Sequence, residues 1–469
     1  MGDTEQREAA NVRLAAREVE IARQVDVLVV GAGPSGVAAS VGAAQTGVKV
    51  LLLEQSALIG GVSSCGLYLR MSGMGGEGVQ YRIVGGVAYD FVRRVLDQGG
   101  GVLRRGHLTY DYEAGKRAWD ELVKDAGVDV LFHTIAFEPV KEGDRVVGVL
   151  GVNKAGLRAY MARVVVDASG DGDVAARSRV PFQIGRPTDG LAQPVTMMMR
   201  FGGVDIHAFS AYYAQDPRLR RTMAQAASKG DFELFQDRIC SVIHWAGRSG
   251  VLSLNVTNQR GVNGTDPAEL SAAVTEGRRQ VWVLYHFLKK YVPGFEHAWV
   301  MDTAPTIGVR ETRRILGEYV LTKEDVLTGR EFPDNVALGS YPIDIHRPDG
   351  LWVDLTPINA PCYGIPFRCL VPRQVEGLLV AGRNISATHE AIASARVMFT
   401  CMAVGHAAGV AAALASRRDI PPRRVDLAEL RRELLRQGAI LTNEQARILN
   451  APSTLETCID AAEGAFRTE

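Results

Sequence analysis

The sequence predicts an α/β protein in which a sheet of parallel strands, covered by helices, carries an inserted second lobe. Two observations support this fold class. A strand, a glycine-rich turn, a helix and a second strand follow one another near the N-terminus, and two more apolar strands that end in glycine-containing turns come much later. Because a chain that returns to one sheet from distant sequence builds a discontinuous domain, residues 181–354, between the last two strands, are expected to form the lobe.

The composition is that of an ordinary globular protein and excludes several functional classes. Of 469 residues, 46% are hydrophobic and 23% are charged, and 53 basic residues balance 53 acidic ones, which argues against nucleic acid as the main partner. The six cysteines are scattered without a C-x-x-C pair. Neither a metal site nor a redox dithiol motif is therefore indicated, and a cytoplasmic location is expected.

The N-terminus and one apolar segment carry further expectations. The charged N-terminus lacks the apolar core of a secretion signal, so residues 1–24 are expected to form a helical arm. The most apolar stretch, residues 391–415, contains Arg396 and His406, and we interpret it as a buried helix rather than a membrane span.

The first strand and turn form a nucleotide-binding signature. The β-branched run VDVLVV is followed by GAGPSG, with the spacing G-x-G-x-x-G, and then by a helix of small residues. Gly31 permits the tight turn, Gly33 lets the backbone approach a pyrophosphate, and Gly36 lets the helix pack against the strand. The helix N-terminus faces the phosphates, and Glu54, after the second strand, can accept ribose hydroxyls. This combination predicts dinucleotide binding.

Later motifs extend this signature along the chain. DASGDGD at residues 167–173 and LLVAGRNIS at residues 378–386 each follow an apolar strand. Together with GAGPSG, Glu54 and the IGG of residues 59–61, and with GVRETRRILGEYVLT, YPIDIH, IPFRCLVP and ELRRELLRQGAIL, they resemble the FAD-dependent oxidoreductase family related to the glutathione-reductase and succinate-dehydrogenase flavoproteins. The resemblance spans nearly the whole chain.

The resemblance implies the fold, the cofactor and the partners. It implies a glutathione-reductase-type, FAD-binding Rossmann-like domain of residues 25–180 and 355–420, an α+β substrate-binding lobe of residues 181–354, and a helical tail of residues 421–469. The cofactor is expected to be FAD, the substrate a small molecule, and the electron partner oxygen, a quinone, a nicotinamide or another protein. No second G-x-G-x-x-G follows a strand, so no built-in NAD(P)H domain is expected. A homo-oligomer is compatible with these features.

The motifs and the resemblance also predict which residues contact FAD. The glycine-rich segment of residues 58–86 is expected to follow the cofactor, with later glycines in a loop near the flavin ring. For residues 72–86, a surface loop that tolerates glycine is the alternative. The expected cofactor contacts are Gly31, Gly33, Pro34, Ser35, Gly36, Glu54, Gln55, Gly60, Gly61, Val62, Ala136, Gly170, Asp171, Gly382, Arg383, Arg396 and Val397.

Two histidines are the candidates for acid–base catalysis. His346 leads, because Asp344 lies two residues before it and would share its face of a strand. His389, just before a helix whose N-terminus is expected to face the flavin, is the second. The alternative for His346 is a core or solvated histidine.

Arg310 and Arg314 are the candidate substrate-binding cations. A guanidinium beside a flavin can hold a carboxylate or polarise a carbonyl, and we favour Arg310 for this role. Arg314 would share its face if GVRETRRI is helical. The alternative is an ion-pair network with Glu311 and Glu318.

Cys65 and Tyr363 complete the substrate-side candidates. No second cysteine follows Cys65 at the C-x-x-x-x-C spacing of the related disulfide reductases, which argues against a dithiol mechanism. Tuning the flavin, contacting the substrate and filling space remain open for this thiol.

The predicted function is hydride transfer between a small organic substrate and N5 of FAD, with His346 or His389 moving the proton and Arg310 binding an oxygen. Two alternatives stay open. One is a flavin-dependent isomerase or hydratase without net redox change, and the other is a subunit in which FAD is structural. The sequence leaves open the substrate, the direction of the reaction and covalent attachment of the flavin.

Overall fold

A computed structural model describes residues 16–75, 82–244 and 247–450. Its strands are β1 (Ile21–Val30), β2 (Val50–Leu53), β3 (Arg70–Met71), β4 (Gly101–Arg104), β5 (His107–Tyr110), β6 (Asp129–Leu131), β7 (Ile135–Glu142), β8 (Arg145–Asn153), β9 (Gly156–Asp167), β10 (Phe182–Gln183), β11 (Met199–Gly202), β12 (Ser241–His244), β13 (Leu252–Asn255), β14 (Trp299–Thr303), β15 (Arg314–Ile315), β16 (Asn335–Gly339), β17 (Ile343–His346), β18 (Val353–Thr356), β19 (Tyr363–Pro366) and β20 (Leu378–Val380). Its helices are α1 (Pro34–Gln45), α2 (Val87–Asp97), α3 (Tyr112–Asp125), α4 (Asp173–Arg177), α5 (Ile206–Gln215), α6 (Arg220–Ser228), α7 (Pro267–Tyr291), α8 (Lys323–Thr328), α9 (His389–Ala395), α10 (Met398–Arg418), α11 (Leu427–Arg436) and α12 (Asn443–Leu449).

A seven-stranded sheet forms the centre of the main domain and confirms the α/β class. Its strands run in the order β6, β2, β1, β9, β8, β7, and β20 pairs with the end of β9. β6, β2, β1, β9 and β20 are parallel, whereas β7, β8 and β9 form an antiparallel meander. On the side away from β1, β9 pairs first with β8 and then, through Val165–Asp167, with β20.

The parallel strands form where the sequence is apolar and β-branched. Val27–Val30 of β1 and all of β2 are buried, as expected for strands covered on both faces. β1 begins at Ile21, so the predicted helical arm is wrong at its end, because Ile21–Val25 form parallel ladder pairs with Ala159–Ala162 of β9. Residues 1–15 of the predicted arm lie outside the described residues.

Helices α1 and α10 pack closely because glycines let their backbones approach. A Cβ atom on Gly405 would lie 2.0 Å from the carbonyl oxygen of Ser35, and one on Gly409 would lie 1.9 Å from that of Ala39. Within the described residues, α10 is the one helix long and apolar enough to cross a membrane. However, 94% of its apolar window is buried inside the protein, which is the environment of a core helix.

The inserted lobe is built on a second, antiparallel sheet with the strand order β12, β13, β11, β14, and helix α7 contacts β14. β17 and β18 form a hairpin, and β16 pairs with β19. The predicted boundary between residues 354 and 355 therefore cuts through β18 and separates β16 from its partner, although hydrogen-bonded ladders hold these segments together. In the described part of the predicted tail, α11 and α12 are helical, and residues 451–469 lie outside it.

We expect Gly409→Ala to lower the free energy of unfolding by about 1–3 kcal/mol, because the added methyl would be forced into the Ala39 carbonyl of α1. Helix propensity alone predicts the opposite sign, since alanine is favoured over glycine by roughly 1 kcal/mol. Ala272→Gly, at an exposed position of α7, is the control that measures the difference in helix propensity between alanine and glycine in this protein. Chemical denaturation gives the free energy of unfolding of both variants. A Gly409→Ala protein as stable as the wild type would contradict the close packing.

Candidate active site

The loops at one edge of the main sheet bring most of the predicted cofactor residues together. β1, β2, β9 and β20 are parallel, so their carboxyl ends meet at this edge, where open α/β sheets bind nucleotides. The predicted contacts in these four loops and the first turn of α1 are Gly31, Gly33, Pro34, Ser35, Gly36, Glu54, Gln55, Gly60, Gly61, Val62, Gly170, Asp171, Gly382 and Arg383. We call this surface the cofactor edge.

Gly33 is the one glycine of the G-x-G-x-x-G motif that packing among the described residues does not explain. A Cβ on Gly31 would lie 2.6 Å from the carbonyl oxygen of Ala168, and one on Gly36 would lie 1.8 Å from that of Gly31. A Cβ on Gly33 would meet no described atom within 4 Å, and its φ of −67° suits any residue. The buried hydroxyl of Ser35 has no hydrogen-bond partner among the described residues. Open space and an unpaired polar group at a helix N-terminus fit the phosphates of a dinucleotide.

Glu54 holds together, through hydrogen bonds, the loops that follow β1 and β2. Its two carboxylate oxygens accept the backbone N–H groups of Ala32 and Ser56, each at 2.7 Å. Gly60 donates its N–H to the Ala32 carbonyl at 2.8 Å. Each carboxylate oxygen retains a lone pair, so this structural role is compatible with the predicted one toward ribose hydroxyls.

Gly60 and Gly61 are required by the packing of the protein itself. Both have positive φ, 104° and 51°. A Cβ on Gly60 would lie 2.5 Å from Nε1 of Trp119, and one on Gly61 would lie 2.9 Å from Cα of Gly33. The sequence interpretation attributed both glycines to the approach of a ligand and missed these contacts. Residues 76–81 of the predicted ring-side loop lie outside the described residues.

Asp171 and Arg383, both predicted to contact the cofactor, hold one another. Arg383 Nη2 donates to Asp171 Oδ1 at 2.7 Å, and the hydroxyl of Thr312 donates to the same oxygen at 2.7 Å. Arg383 Nη1 donates to Thr312 Oγ1 at 2.9 Å, which closes the triangle. Thr312 was not singled out from the sequence, because only the fold brings it to the cofactor edge.

Two predicted cofactor residues at the cofactor edge expose their side chains, and a third lies elsewhere. Gln55 and Val62 have exposed side chains next to Glu54 and Gly61. Ala136 lies on β7 and packs, partly buried, against the apolar cluster on one face of the sheet. Their contacts with the cofactor stay predictions.

A second group of predicted residues converges around the hairpin of β17 and β18. Asp344 and His346 share a face of β17, with Oδ1 and Nε2 3.8 Å apart, a distance for a charge interaction rather than a hydrogen bond. Arg396 Nη2 donates to the main-chain carbonyl of Asp344 at 3.1 Å and lies 3.7 Å from its carboxylate. Arg310 Nη1 donates to the carbonyl of Pro194 at 2.6 Å and to a threonine hydroxyl at 2.8 Å. We call Arg310, Asp344, His346 and Arg396 the hairpin group.

Burial and neighbouring arginines set the charges of the hairpin group. Burial lowers the pKa of His346 well below 6.5, and Arg310 and Arg396 lower it further, so the imidazole is neutral at neutral pH. Burial, with a contribution from Arg396, lowers the pKa of Arg310 to about 10, which leaves the guanidinium charged. Burial raises the pKa of the nearby Cys240 thiol to about 11, so that group carries no charge. Two guanidinium groups therefore face the single carboxylate of Asp344 and a neutral imidazole.

Gln193 belongs to the same site and was missed from the sequence. Its side chain is 1% exposed, and Oε1 accepts the backbone N–H of His346 at 3.1 Å and Nη2 of Arg396 at 3.5 Å. Its own backbone N–H donates to Glu311 Oε2 at 3.3 Å. A single glutamine in an irregular segment carries no sequence signal, since only tertiary folding brings it here.

Comparison with known proteins now supplies the family. Residues 26–434 match the family described as FAD dependent oxidoreductase. The chain belongs to this family. The open space at Gly33 and the unpaired Ser35 hydroxyl fit the FAD that the description of this family names.

Individual relatives of the chain are distant in sequence. It is 28% identical to digeranylgeranylglycerophospholipid reductase 2 of Methanopyrus kandleri, over 41% of this chain and 48% of that protein. It is 33% identical to thiamine thiazole synthase of Methanococcus aeolicus, over 31% of this chain and 55% of that protein. The chain thus spans about half the length of these curated relatives. Among solved structures it is similar to a geranylgeranyl bacteriochlorophyll reductase-like protein of Thermoplasma acidophilum, with a TM-score of 0.42 and 14% identity over 89% and 84% of the two chains.

Arg314 and His389 lie in a buried ionic cluster around Glu311. Glu311 is 2% exposed and its carboxylate contacts Arg314 and, at 2.9 Å, Nδ1 of His389. The segment before Arg314 is not helical, and Arg314 itself begins β15, so the condition for a shared face with Arg310 is not met. The alternative of an ion pair with Glu311 is observed, whereas Glu318 pairs elsewhere, with an arginine of the C-terminal region.

Tyr363 and Cys65 are not placed in the hairpin group either. Tyr363 is 0% exposed, and its hydroxyl lies 2.7 Å from Oγ of Ser394 in the core, so its contact with a substrate stays a prediction. The Cys65 thiol lies 3.8 Å from Oγ of Ser56 in the loop after β2. Burial is the main cause that raises the pKa of this thiol, so it is protonated at neutral pH, and its role beside the cofactor edge stays a prediction.

The helix predicted from His389 onward is interrupted at Arg396 and Val397. α9 ends at Ala395, and Val397, with φ −66° and ψ 147°, precedes α10. The break places the Arg396 side chain against the β17 hairpin, while Val397 packs so tightly that a Cβ on Gly73 would lie 2.7 Å from its Cγ2. Contacts of both residues with the cofactor stay predictions.

We expect Gly33→Ala to weaken FAD binding by about tenfold or more and to leave the unfolding midpoint of the cofactor-free protein unchanged, because the methyl meets only the open space at the α1 N-terminus. Gly36→Ala is the matched contrast, since its Cβ would strike the Gly31 carbonyl and destabilise the fold. Fluorescence titration with FAD and thermal unfolding separate the two effects. Wild-type FAD affinity in Gly33→Ala would contradict the assigned cofactor edge.

Proposed function

We propose that this FAD-dependent oxidoreductase transfers a hydride between a carbon of a small organic substrate and N5 of FAD, and that the hairpin group binds the substrate and moves its proton. The observation that carries the proposal is the convergence of two arginines, one carboxylate and one neutral imidazole, of which the imidazole is buried and the others are partly buried. We further propose a glutathione-reductase-type domain, which the parallel sheet with its three-stranded meander supports, and an external electron partner.

The residues of the hairpin group divide the work by their charge. FAD, when bound, accepts or supplies the hydride. Neutral His346 takes the proton that a substrate O–H or N–H loses as the neighbouring carbon is oxidised, or returns it in the reverse direction. Asp344, 3.8 Å from Nε2, stabilises the imidazolium that forms. Arg310 uses Nη1 for contacts with neutral protein acceptors, so its positive charge is available to an electron-rich substrate oxygen.

We expect the purified protein to show the visible absorption of oxidised flavin, and acid precipitation to release it as FAD, because the cofactor edge provides non-covalent contacts. Anaerobic addition of candidate substrates or reductants should then bleach the absorption. Colour that stays in the pellet would indicate a covalent flavin instead. A colourless protein that FAD does not reconstitute would contradict the proposed function.

We expect His346→Asn to slow flavin reduction by substrate roughly 100-fold or more while FAD content is unchanged, because it removes the proton acceptor. His286→Asn, at an exposed position of α7, is the matched control. Anaerobic stopped-flow absorption measures both.

The pH dependence gives a second check on His346. Its pKa in the folded protein lies well below 6.5, so the imidazole is already neutral at pH 6.5 and the wild-type rate should stay flat from about pH 6.5 to 8. Only at lower pH, as the imidazole is protonated, should the rate fall. If lowering the pH through 6.5 decreased the rate equally in the wild type and in His346→Asn, this assignment would be contradicted.

A further inference from the structure

Two buried N–H donors beside the hairpin group have no acceptor among the described residues. One is Nε2 of Gln193, whose side chain is 1% exposed, and the other is Nε of Arg396, whose side chain is 15% exposed. Buried donors in native proteins are almost always paired with protein, water or ligand. Two unpaired donors in one site therefore indicate that an acceptor from outside the chain belongs there.

The orientation of the Gln193 amide is fixed by its neighbours. Oε1 accepts from the backbone N–H of His346 and from Nη2 of Arg396, and both of these groups are donors. Turning the amide over would point its NH₂ at two other donors, so Nε2 is the group that faces away from them. Because the side chains of Gln193 and Arg396 touch through Oε1 and Nη2, one small ligand can reach both unpaired donors.

The charges of the site favour an anion as this acceptor. Arg310 donates to neutral oxygens, and no carboxylate lies within ion-pair distance of it in the described part of the chain. Asp344 is the carboxylate that faces Arg396, at 3.7 Å, and Arg238 adds positive potential at His346. Arg238 is itself paired with Asp237 at 2.7 Å, and Glu311 is paired with Arg314. The two positive charges of Arg310 and Arg396 therefore exceed the one negative charge of Asp344, which favours a bound anion.

We propose that Gln193 and Arg396 form a carboxylate-binding subsite, so that the substrate of the hairpin group is an organic acid. This inference rests on the proposed function, because it places the carboxylate beside the group that moves the proton. A planar carboxylate presents two acceptor oxygens, which match two neighbouring N–H donors, one of them charged. Gln193 is then the residue that selects a carboxylate over a neutral amide or ester.

Isothermal titration of the FAD-loaded protein with acetate and with acetamide tests the subsite. We expect acetate to bind and acetamide, its neutral counterpart, to bind about tenfold or more weakly. Gln193→Glu keeps an oxygen acceptor for His346 and Arg396 but replaces Nε2 with a negatively charged oxygen, so it should abolish acetate binding while FAD content is retained. Gln225→Glu, at an exposed position of α6, is the matched control and should bind acetate like the wild type.

Several outcomes would overturn the subsite. They are no acetate binding by the wild type, equal binding of acetate and acetamide, or acetate binding by Gln193→Glu at wild-type affinity. Inorganic phosphate that binds in preference to acetate would also overturn it, because it would assign the donors to a tetrahedral anion. FAD content and flavin bleaching test the proposed function separately. Failure of the carboxylate subsite can therefore be told apart from failure of the proposed function.

Discussion

The rest of the structure depends on the pairing of strand β9. It pairs with β1 on one side and with β8 and β20 on the other, and its last residue, Asp167, is fully buried. The Asp167 carboxylate accepts the N–H groups of Ser169 at 3.1 Å and Ala175 at 2.9 Å, while its main-chain carbonyl accepts from Ala381 and Asn384, each at 3.0 Å. The two bonds to the carboxylate offset only part of its burial, which still raises the pKa of Asp167, and all four bonds fix the loops that build the cofactor edge.

One short segment then joins the cofactor edge to the hairpin group. In GVRETRRI, Arg310 belongs to the hairpin group, Glu311 anchors the buried ionic cluster, and Thr312 bonds to Asp171 at the cofactor edge. Arg313 follows with a 2.9 Å ion pair to Asp173. Because the segment is not helical, its side chains do not share one helix face, and successive ones reach different neighbours. This polar segment therefore connects the hairpin group, the buried ionic cluster and the cofactor edge.

The features predicted from the sequence are those that depend on local spacing. The strand, glycine turn, helix and second strand follow from contiguous residues, and Asp344 and His346 share a face because a strand repeats every two residues. Contacts between segments far apart in sequence determine the positions of Gln193 and Thr312 and the break at Arg396. No local sequence pattern therefore predicts them.

The glycine positions show the same limit. Pattern alone identified Gly60 as special, yet the reason, a clash with the ring of Trp119, requires knowledge of which helix covers the loop. The burial of Tyr363 was likewise not evident from the sequence, since β16 and α9 pack around it. The residues predicted around the glycine motifs follow from local spacing, whereas the surroundings of the hairpin group depend on tertiary contacts.

The contrast between Gly33 and the other motif glycines has a consequence for how substitutions at these positions are interpreted. Gly31, Gly36, Gly60 and Gly61 are each constrained by protein atoms that are in place without any cofactor. A side chain at any of these four positions would therefore disturb the architecture of the protein, whereas a side chain at Gly33 would enter only the space beside the α1 N-terminus. Substitutions within one short motif thus report on two different properties, the stability of the fold and the recognition of a ligand.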